Sequence, residues 1–247
     1  MRTVRVTRYV TPLREGGSLP AIVEAEDDGL YVLKFRGAGQ GARALIAELL
    51  SGEIARALGL PVPEIVFAEV DPDLSRTEPD PEIHALILDS AGLNLALDYL
   101  PGSVMFDPSV DRPAADLASR IVWFDAFVSN VDRTPRNTNM LMWHRRLWLI
   151  DHGASLYFHH SPGWPAEPAR PTDPFAMIRT HVLLRAATEL EKVDEELAAV
   201  LTGDVLSRIV GLIPEPWLED PRDAYLAYLR ERLRHPRAFV EEAARGR

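Results

Sequence analysis

The sequence predicts an α+β protein in which a β-rich first part carrying one main helix precedes a mostly helical second part. Three observations predict it. Short apolar runs bounded by turn residues occupy the first hundred residues, and longer stretches of helical period occupy the rest. Between them, Leu100-Pro101-Gly102 interrupts the chain. The expected division is residues 1–100 and 101–247, together one unit large enough to bury a sizeable core.

Val4 to Val10 and Ala21 to Ala25 read as strands, separated by the turn-rich segment from Thr11 to Pro20. Asp27-Asp28-Gly29 is a hairpin signal, and Leu30 to Phe35 is the strand that follows it. Gly37 to Gly41 breaks the pattern and leads into a helix over Ala42 to Leu58, closed by Gly59 with Pro61 beyond. Glu64 to Val70 is a further strand, and acidic Asp71 to Glu82 is an exposed loop. His84 to Leu88 and Leu93 to Tyr99 pair as a hairpin about Ser90-Ala91-Gly92. In the second part, Ala114 to Ser129 is a strongly apolar helix, and Met140 to Ile150 is two short strands turning at His144-Arg145-Arg146. Pro162 to Pro174 is an irregular connection, while helices cover Asp173 to Leu201, Gly203 to Leu212 and Pro221 to Ala244.

Composition excludes several classes of function. There is no Cys, so no disulfide framework, zinc ribbon or thiol nucleophile. No apolar run approaches the ~18 residues of a membrane span, and the N-terminus lacks the apolar core of a signal peptide, so a cytoplasmic protein with no membrane partner is expected. A formal charge of −10 argues against a broad basic face, and nucleic-acid binding is not indicated. Of the 27 basic residues only Lys34 and Lys192 are lysines. Lys34 stands out, because a compact ammonium at a tight phosphate site is not replaceable by a guanidinium.

The segment Asn130-Val131-Asp132-Arg133-Thr134-Pro135-Arg136-Asn137 and the later Asp151-His152-Gly153 carry the chemistry. Asp132 and Asn137 have the Asp-x-x-x-x-Asn spacing of a phosphoryl-transfer loop, and Asp151 stands where Asp-Phe-Gly places its metal-holding carboxylate. Such chemistry asks for positioning, hard oxygen ligands and a cation on the phosphates. Asn137 and Asp151 suit the metal, and Asp132 is then free to accept the proton of an incoming hydroxyl. Asp151 also ends the mostly apolar run Trp148-Leu149-Ile150, where a carboxylate needs solvent, a partner or a metal.

Each of these residues alone reads equally well as a turn former or loop cap; their order along the chain, with Lys34 upstream, is the specific signal. Lys34 lies in the run Tyr31-Val32-Leu33-Lys34-Phe35, ahead of a helix bearing two candidate acidic partners. Glu53 falls closer to the centre of the stripe formed by Ile46, Leu49, Leu50, Ala57 and Leu58, whereas Glu48 lies off it. Glu15-Gly16-Gly17-Ser18 could close over phosphates with backbone N–H groups. His152, His159 and His160 lack partners at a metal-site spacing and read as surface or loop histidines. Trp123, Trp143 and Trp148 read as core rather than as a stacking platform.

With these residues in view, the chain resembles the HipA-like kinases, in the short form without the extra N-terminal subdomain of HipA itself. The resemblance runs from about Arg8 to Tyr157 and rests on Gly16-Gly17-Ser18, Tyr31 to Lys34, Glu48 ahead of Leu58 to Pro63, Asp98 to Gly102, Asn130 to Thr134 with Asn137, and Ile150 to Gly153. It implies a protein-kinase-like two-lobe fold with a hinge near Asp98, Tyr99 and Leu100. It implies a Lys34–Glu48 ion pair, Asp132 as catalytic base, and Mg²⁺ on Asn137 and Asp151. Gly16, Gly17, Ser18, Lys34, Asp98, Tyr99 and Leu100 would hold ATP. The acceptor would be a Ser or Thr of a protein, with a small-molecule or lipid kinase and a nucleotide-binding pseudokinase as alternatives. Thr134 stands where HipA proper often has His, and the absent N-terminal subdomain removes a surface that HipA uses toward its DNA-binding antitoxin partner, so the toxin role and its protein substrate do not carry over.

Overall fold

The computed structural model describes residues 1–13, 19–166 and 170–247. They group into two compact units: residues 1–49 with 63–101, and residues 50–62 with 102–247. The order is α+β, sheet-rich first and helical afterwards.

In the first unit, β1 (Thr3–Pro12), β2 (Ala21–Ala25), β3 (Leu30–Lys34), β4 (Ile65–Val70) and β5 (Gly92–Asp98) close into a barrel in the order β1-β2-β3-β5-β4. Four of the pairings are antiparallel, and β1 runs parallel to β4, with Thr3 opposite Phe67. Closure leaves no sheet edge to blunt. Val4, Val6, Val23, Tyr31, Leu33, Val66, Ala68 and Ala96 fill the interior. The β2–β3 hairpin turns on Asp28, whose φ of 61° is left-handed, and the Asp27 carboxylate accepts the Gly29 N–H at 3.1 Å.

The helix α1 (Ala42–Ala57) begins in this unit. Its C-terminus is closed by Gly59 at φ 73°, with the Leu60 N–H bonded to the Ala55 carbonyl at 2.9 Å and the Gly59 N–H to Arg56 at 3.0 Å. The strand expected over His84 to Leu88 is instead α2 (Pro81–Asp89). Asp80 caps it by accepting the Glu82 N–H at 2.9 Å, Pro81 opens its first turn, and Ile83, Leu86 and Ile87 form a buried face of helical spacing. An N-cap, a leading proline and a period of three to four outweigh the β propensity of the isoleucines. The acidic loop before it is in part a short 3-10 turn over Pro72–Thr77.

In the second unit, β6 (Val104–Met105), β7 (Met140–Trp143) and β8 (Arg146–Leu149) form a small antiparallel sheet in that order. The helices are α3 (Ala115–Phe127), α4 (Leu190–Val200), α5 (Gly203–Val210), α6 (Arg222–Arg232) and α7 (Ala238–Gly246). Two long expected helices are therefore shorter. The stretch from Asp173 is 3-10 turns over Ala176–Thr180 and Leu184–Ala186 until α4 begins, and His235-Pro236 divides α6 from α7. A proline lacks the N–H that helix continuation requires. The core of this unit is centred on α3, where Ile121, Val122, Trp123, Phe124, Ala126 and Phe127 are fully buried. Among the described residues no helix is long and apolar enough to cross a membrane.

Candidate active site

In the first unit the site centres on Lys34. Tyr31 and Leu33 point into the barrel, and the pleat of β3 alternates the neighbouring side chains between its two faces. Lys34 remains only 9% exposed and its ammonium lies 3.6 Å from Glu48 Oε2, a carboxylate 1% exposed. A buried ammonium and a buried carboxylate require one another. Glu53 instead meets Arg56 at 3.4 Å on the same helix, and burial raises its carboxyl above the ordinary value while Arg56 pulls it back. Of the two candidate partners Glu53 lies nearer the centre of the apolar stripe, but this helix is buried on more than one face. Leu45 to Gly52 are buried without interruption, so Glu48 is enclosed although it lies off the stripe.

Asp98 ends β5, and Tyr99 and Leu100 follow it. The Asp98 N–H bonds to the Glu64 carbonyl at 2.8 Å and the Tyr99 N–H to the Leu30 carbonyl at 3.0 Å, while Leu100 is buried. Burial raises the Asp98 carboxyl, and the nearby Glu64 charge adds to the effect. Gly16, Gly17 and Ser18 lie outside the described residues.

In the second unit the loop after α3 brings Asp132, Asn137 and Asn139 together. Asp132 Oδ2 accepts the Asn137 amide at 2.7 Å and the Asn139 amide at 3.1 Å. Burial pushes the Asp132 carboxyl up and the negative charge of Asp151 pushes it further, whereas the two amides and Arg133 pull it back. Asp151 has φ 55°, Asn139 has φ 46°, and Ile150 N–H bonds to the Asn139 carbonyl at 3.1 Å. Asp and Asn take left-handed backbone more readily than other side-chain-bearing residues, and at both positions the turn fixes the direction of the side chain.

This set fits a hard divalent cation. Each amide that gives its N–H to Asp132 keeps its oxygen for another partner, and Asp151 adds a carboxylate near enough to perturb Asp132. No group of three or more His, Cys, Asp or Glu side chains among the described residues could hold a metal by itself.

Beneath the loop lies a network the sequence reading missed. Asp125 on α3 is fully buried and accepts Arg133 Nε at 2.7 Å, Asn130 Nδ2 at 2.8 Å and His181 Nε2 at 2.9 Å. His181 Nδ1 accepts the Leu183 N–H at 3.0 Å, so the ring proton sits on Nε2 and points at Asp125. Burial alone would raise the Asp125 carboxyl, but the Arg133 guanidinium and His181 hold it well below the usual carboxylate range. Arg133 also donates to the Asn139 carbonyl, and Asn130 Oδ1 accepts the Asp132 N–H at 3.1 Å. The residues flanking Asp132 are thus tied to one buried carboxylate. A lone Asp within Ile121-Val122-Trp123-Phe124-Asp125-Ala126-Phe127 was the available signal, since a charge in an apolar run needs partners.

His152 lies in a loop, as expected of these histidines, but His152 and His159 are fully buried and neither is at the surface. His159 faces the Tyr225 hydroxyl at 3.3 Å and His160 at 3.0 Å. Trp123 is core as expected, stacked on Phe127.

The family model for HipA-like kinases matches residues 6–235. The chain belongs to the HipA-like kinase family. A comparison with curated proteins returned no match. Among solved structures, the proinflammatory kinase CtkA of Helicobacter pylori superposes with a TM-score of 0.57 at 12% identity, covering 98% of this chain and 99% of that one. The Golgi casein kinase with Mn and ADP bound gives 0.54 at 13% identity, covering 98% of this chain and 74% of that one. A second structure of the Golgi casein kinase gives 0.55 at 11% identity, covering 98% and 72%. At these identities the likeness establishes the kinase fold alone.

Proposed function

We propose that this HipA-like kinase transfers the γ-phosphoryl group of ATP to a Ser or Thr hydroxyl of a protein, with Mg²⁺ as its metal. The observation that carries the reading is Asp132, a carboxylate held by two carboxamides and raised by burial and by its neighbour Asp151. In the transfer the acceptor hydroxyl gives its proton to Asp132 as its oxygen bonds to the γ-phosphorus. The bond from that phosphorus to the bridging oxygen of ATP breaks, and ADP leaves. Asn137 and Asp151 supply the oxygen ligands. Mg²⁺, when bound, neutralises charge on the phosphate oxygens.

In this reading residues 1–100 are the lobe that holds the nucleotide and residues 101–247 the lobe that supplies the base and metal ligands. Lys34 puts its ammonium on the phosphates and Glu48 fixes its direction. Gly16, Gly17 and Ser18 cover the phosphates, and Asp98, Tyr99 and Leu100 meet the base. Because the Asp98 and Tyr99 N–H groups are already bonded within the barrel, adenine is read there through other atoms. The reading includes a cytoplasmic location.

Incubation of wild type and Asp132→Ala with γ-labelled ATP and cell extract tests it. Labelled proteins with phospho-Ser or phospho-Thr are expected with wild type only. Equal labelling by both refutes the assignment, and label confined to metabolites or lipids shifts the acceptor to those classes.

A further inference from the structure

Away from Asp132, a cavity of about 460 Å³ opens in the second unit, with Phe106, Leu117 and Met142 among its apolar walls and Arg112, Arg145 and Arg146 among its polar ones. Asp111 is the only carboxylate in its lining, and it already accepts the Asp107 N–H at 2.9 Å. Arg112 donates to the backbone carbonyls of Pro108, Asp111 and Ser109, and the Asp107 carboxyl, lowered first by its hydrogen bonds from Ser109, is lowered further by the Arg112 charge. The Arg145 and Arg146 side chains are exposed and make neither a hydrogen bond nor an ion pair with any described residue. Two guanidiniums without an acidic partner among the described residues, beside that of Arg112 at one cavity, are unexpected in a chain of charge −10, where acidic partners abound.

Local backbone geometry shows how they are presented. The β7–β8 turn has φ 48° at His144 and φ 60° at Arg145, the two left-handed positions of a tight hairpin that Asn-Gly would fill without strain. Apolar surface adjoins the charge. Val104, opposite Met142 in the ladder, is 63% exposed, and Val110, in the loop that Arg112 fastens, is 73% exposed. Phe106 is also a wall of a second cavity, of about 420 Å³, lined by Arg136 and Asn137 of the candidate catalytic loop.

We propose that the Arg112–Arg145–Arg146 cavity docks an acidic segment of the protein acceptor, its Asp and Glu carboxylates on the guanidiniums and an apolar side chain against Leu117 and Met142. The proposal rests on the protein-kinase reading above and gives that reading a substrate class: acceptors with an acidic, partly apolar stretch near the phosphorylated hydroxyl. Guanidinium and carboxylate match in planar, charge-assisted pairs, and an apolar floor excludes the water that would weaken them. A nucleic acid suits the site less well. The chain's overall negative charge repels a long polyanion, and Phe106, only 3% exposed, offers no open ring for bases.

The test is fluorescence anisotropy of a fluorescein-labelled ten-residue peptide of Asp, Glu and Leu, with the full chain and no nucleotide. Wild type is expected to bind with an affinity that falls as salt is added. Arg145→Glu/Arg146→Glu should bind about tenfold more weakly or worse, and the milder Arg146→Ala about threefold more weakly. The thermal midpoints should stay within about 1 °C of wild type, because neither guanidinium bonds to the described fold. Unchanged affinity in these variants, equal binding of a Lys and Leu peptide, or tighter binding of a single-stranded oligonucleotide of the same charge overturns the proposal. The readout needs no turnover. A wild type that transfers phosphate but ignores the peptide refutes the docking site alone, and one that binds the peptide but never transfers refutes the kinase reading alone.

Discussion

The candidate site residues of the first unit and those of the second are secured in different ways. Lys34 is brought to Glu48 across 3.6 Å, a buried ion contact between a strand and a helix. The Asp132 loop is over-determined: Asn137 and Asn139 hold Asp132 directly, while Asn130, Arg133 and His181 converge on the buried Asp125. A general base must stand within hydrogen-bond reach of one proton, and many short bonds are needed to fix a loop to that tolerance. An ammonium on a phosphate acts through charge over a longer range, so its placement is less exacting.

Mutations can break this contrast. Asp132→Asn should leave the fold intact and lower the transfer rate by about 10²–10⁴-fold, measured with labelled ATP under single-turnover conditions. Lys34→Arg should cost less, about 10²-fold, and act mainly on nucleotide affinity, because a guanidinium cannot take the place of a compact ammonium. Similar losses in transfer with no change in ATP affinity for Lys34→Arg would erase the distinction between the two regions.

Asp125→Asn separates positioning from chemistry. It leaves the Arg133 charge buried without its carboxylate and should destabilise the fold by about 3 kcal/mol in denaturant unfolding. The same carboxylate sets an acid limb. Its folded-state value lies below the unfolded one, so its stabilisation is complete at neutral pH and is lost as pH falls through the range below about 4. Thermal midpoints followed from pH 7 downward should therefore drop less steeply in Asp125→Asn than in wild type over that acid range. The smallest effect belongs to Glu53→Ala, which removes a half-exposed i,i+3 contact with Arg56 and should change stability by no more than about 0.5 kcal/mol. A large loss of transfer in Glu53→Ala would reverse the assignment of Glu48 as the partner of Lys34.

What was legible in the sequence follows the same division. Barrel strands such as Ala21–Ala25 and the hairpin at Asp27–Gly29 were readable because period-two apolar runs and turn residues are local signals. The helix α2 was misread because its capping by Asp80 and Pro81 lay inside a segment that looked merely acidic. The ordered set Lys34, Asp132, Asn137 and Asp151 was legible as a spacing. Its supports were not, since His181 reaches Asp125 from 56 residues away and nothing local announces it. Asn139 was passed over beside Asn137 because two residues of one type, two positions apart, differ only in what the loop's backbone does with them.

The central claim is a division of labour within one loop region: Asp151 serves the metal and nucleotide, Asp132 the acceptor. Calorimetric titration of ATP in the presence and absence of Mg²⁺ into wild type, Asp132→Asn and Asp151→Asn tests it most directly. Asp132→Asn should bind Mg·ATP within about threefold of wild type, whereas Asp151→Asn should lose the Mg²⁺-dependent part of the affinity. Wild type that binds no nucleotide, or an Asp151→Asn variant that keeps its full Mg²⁺ dependence, would contradict it.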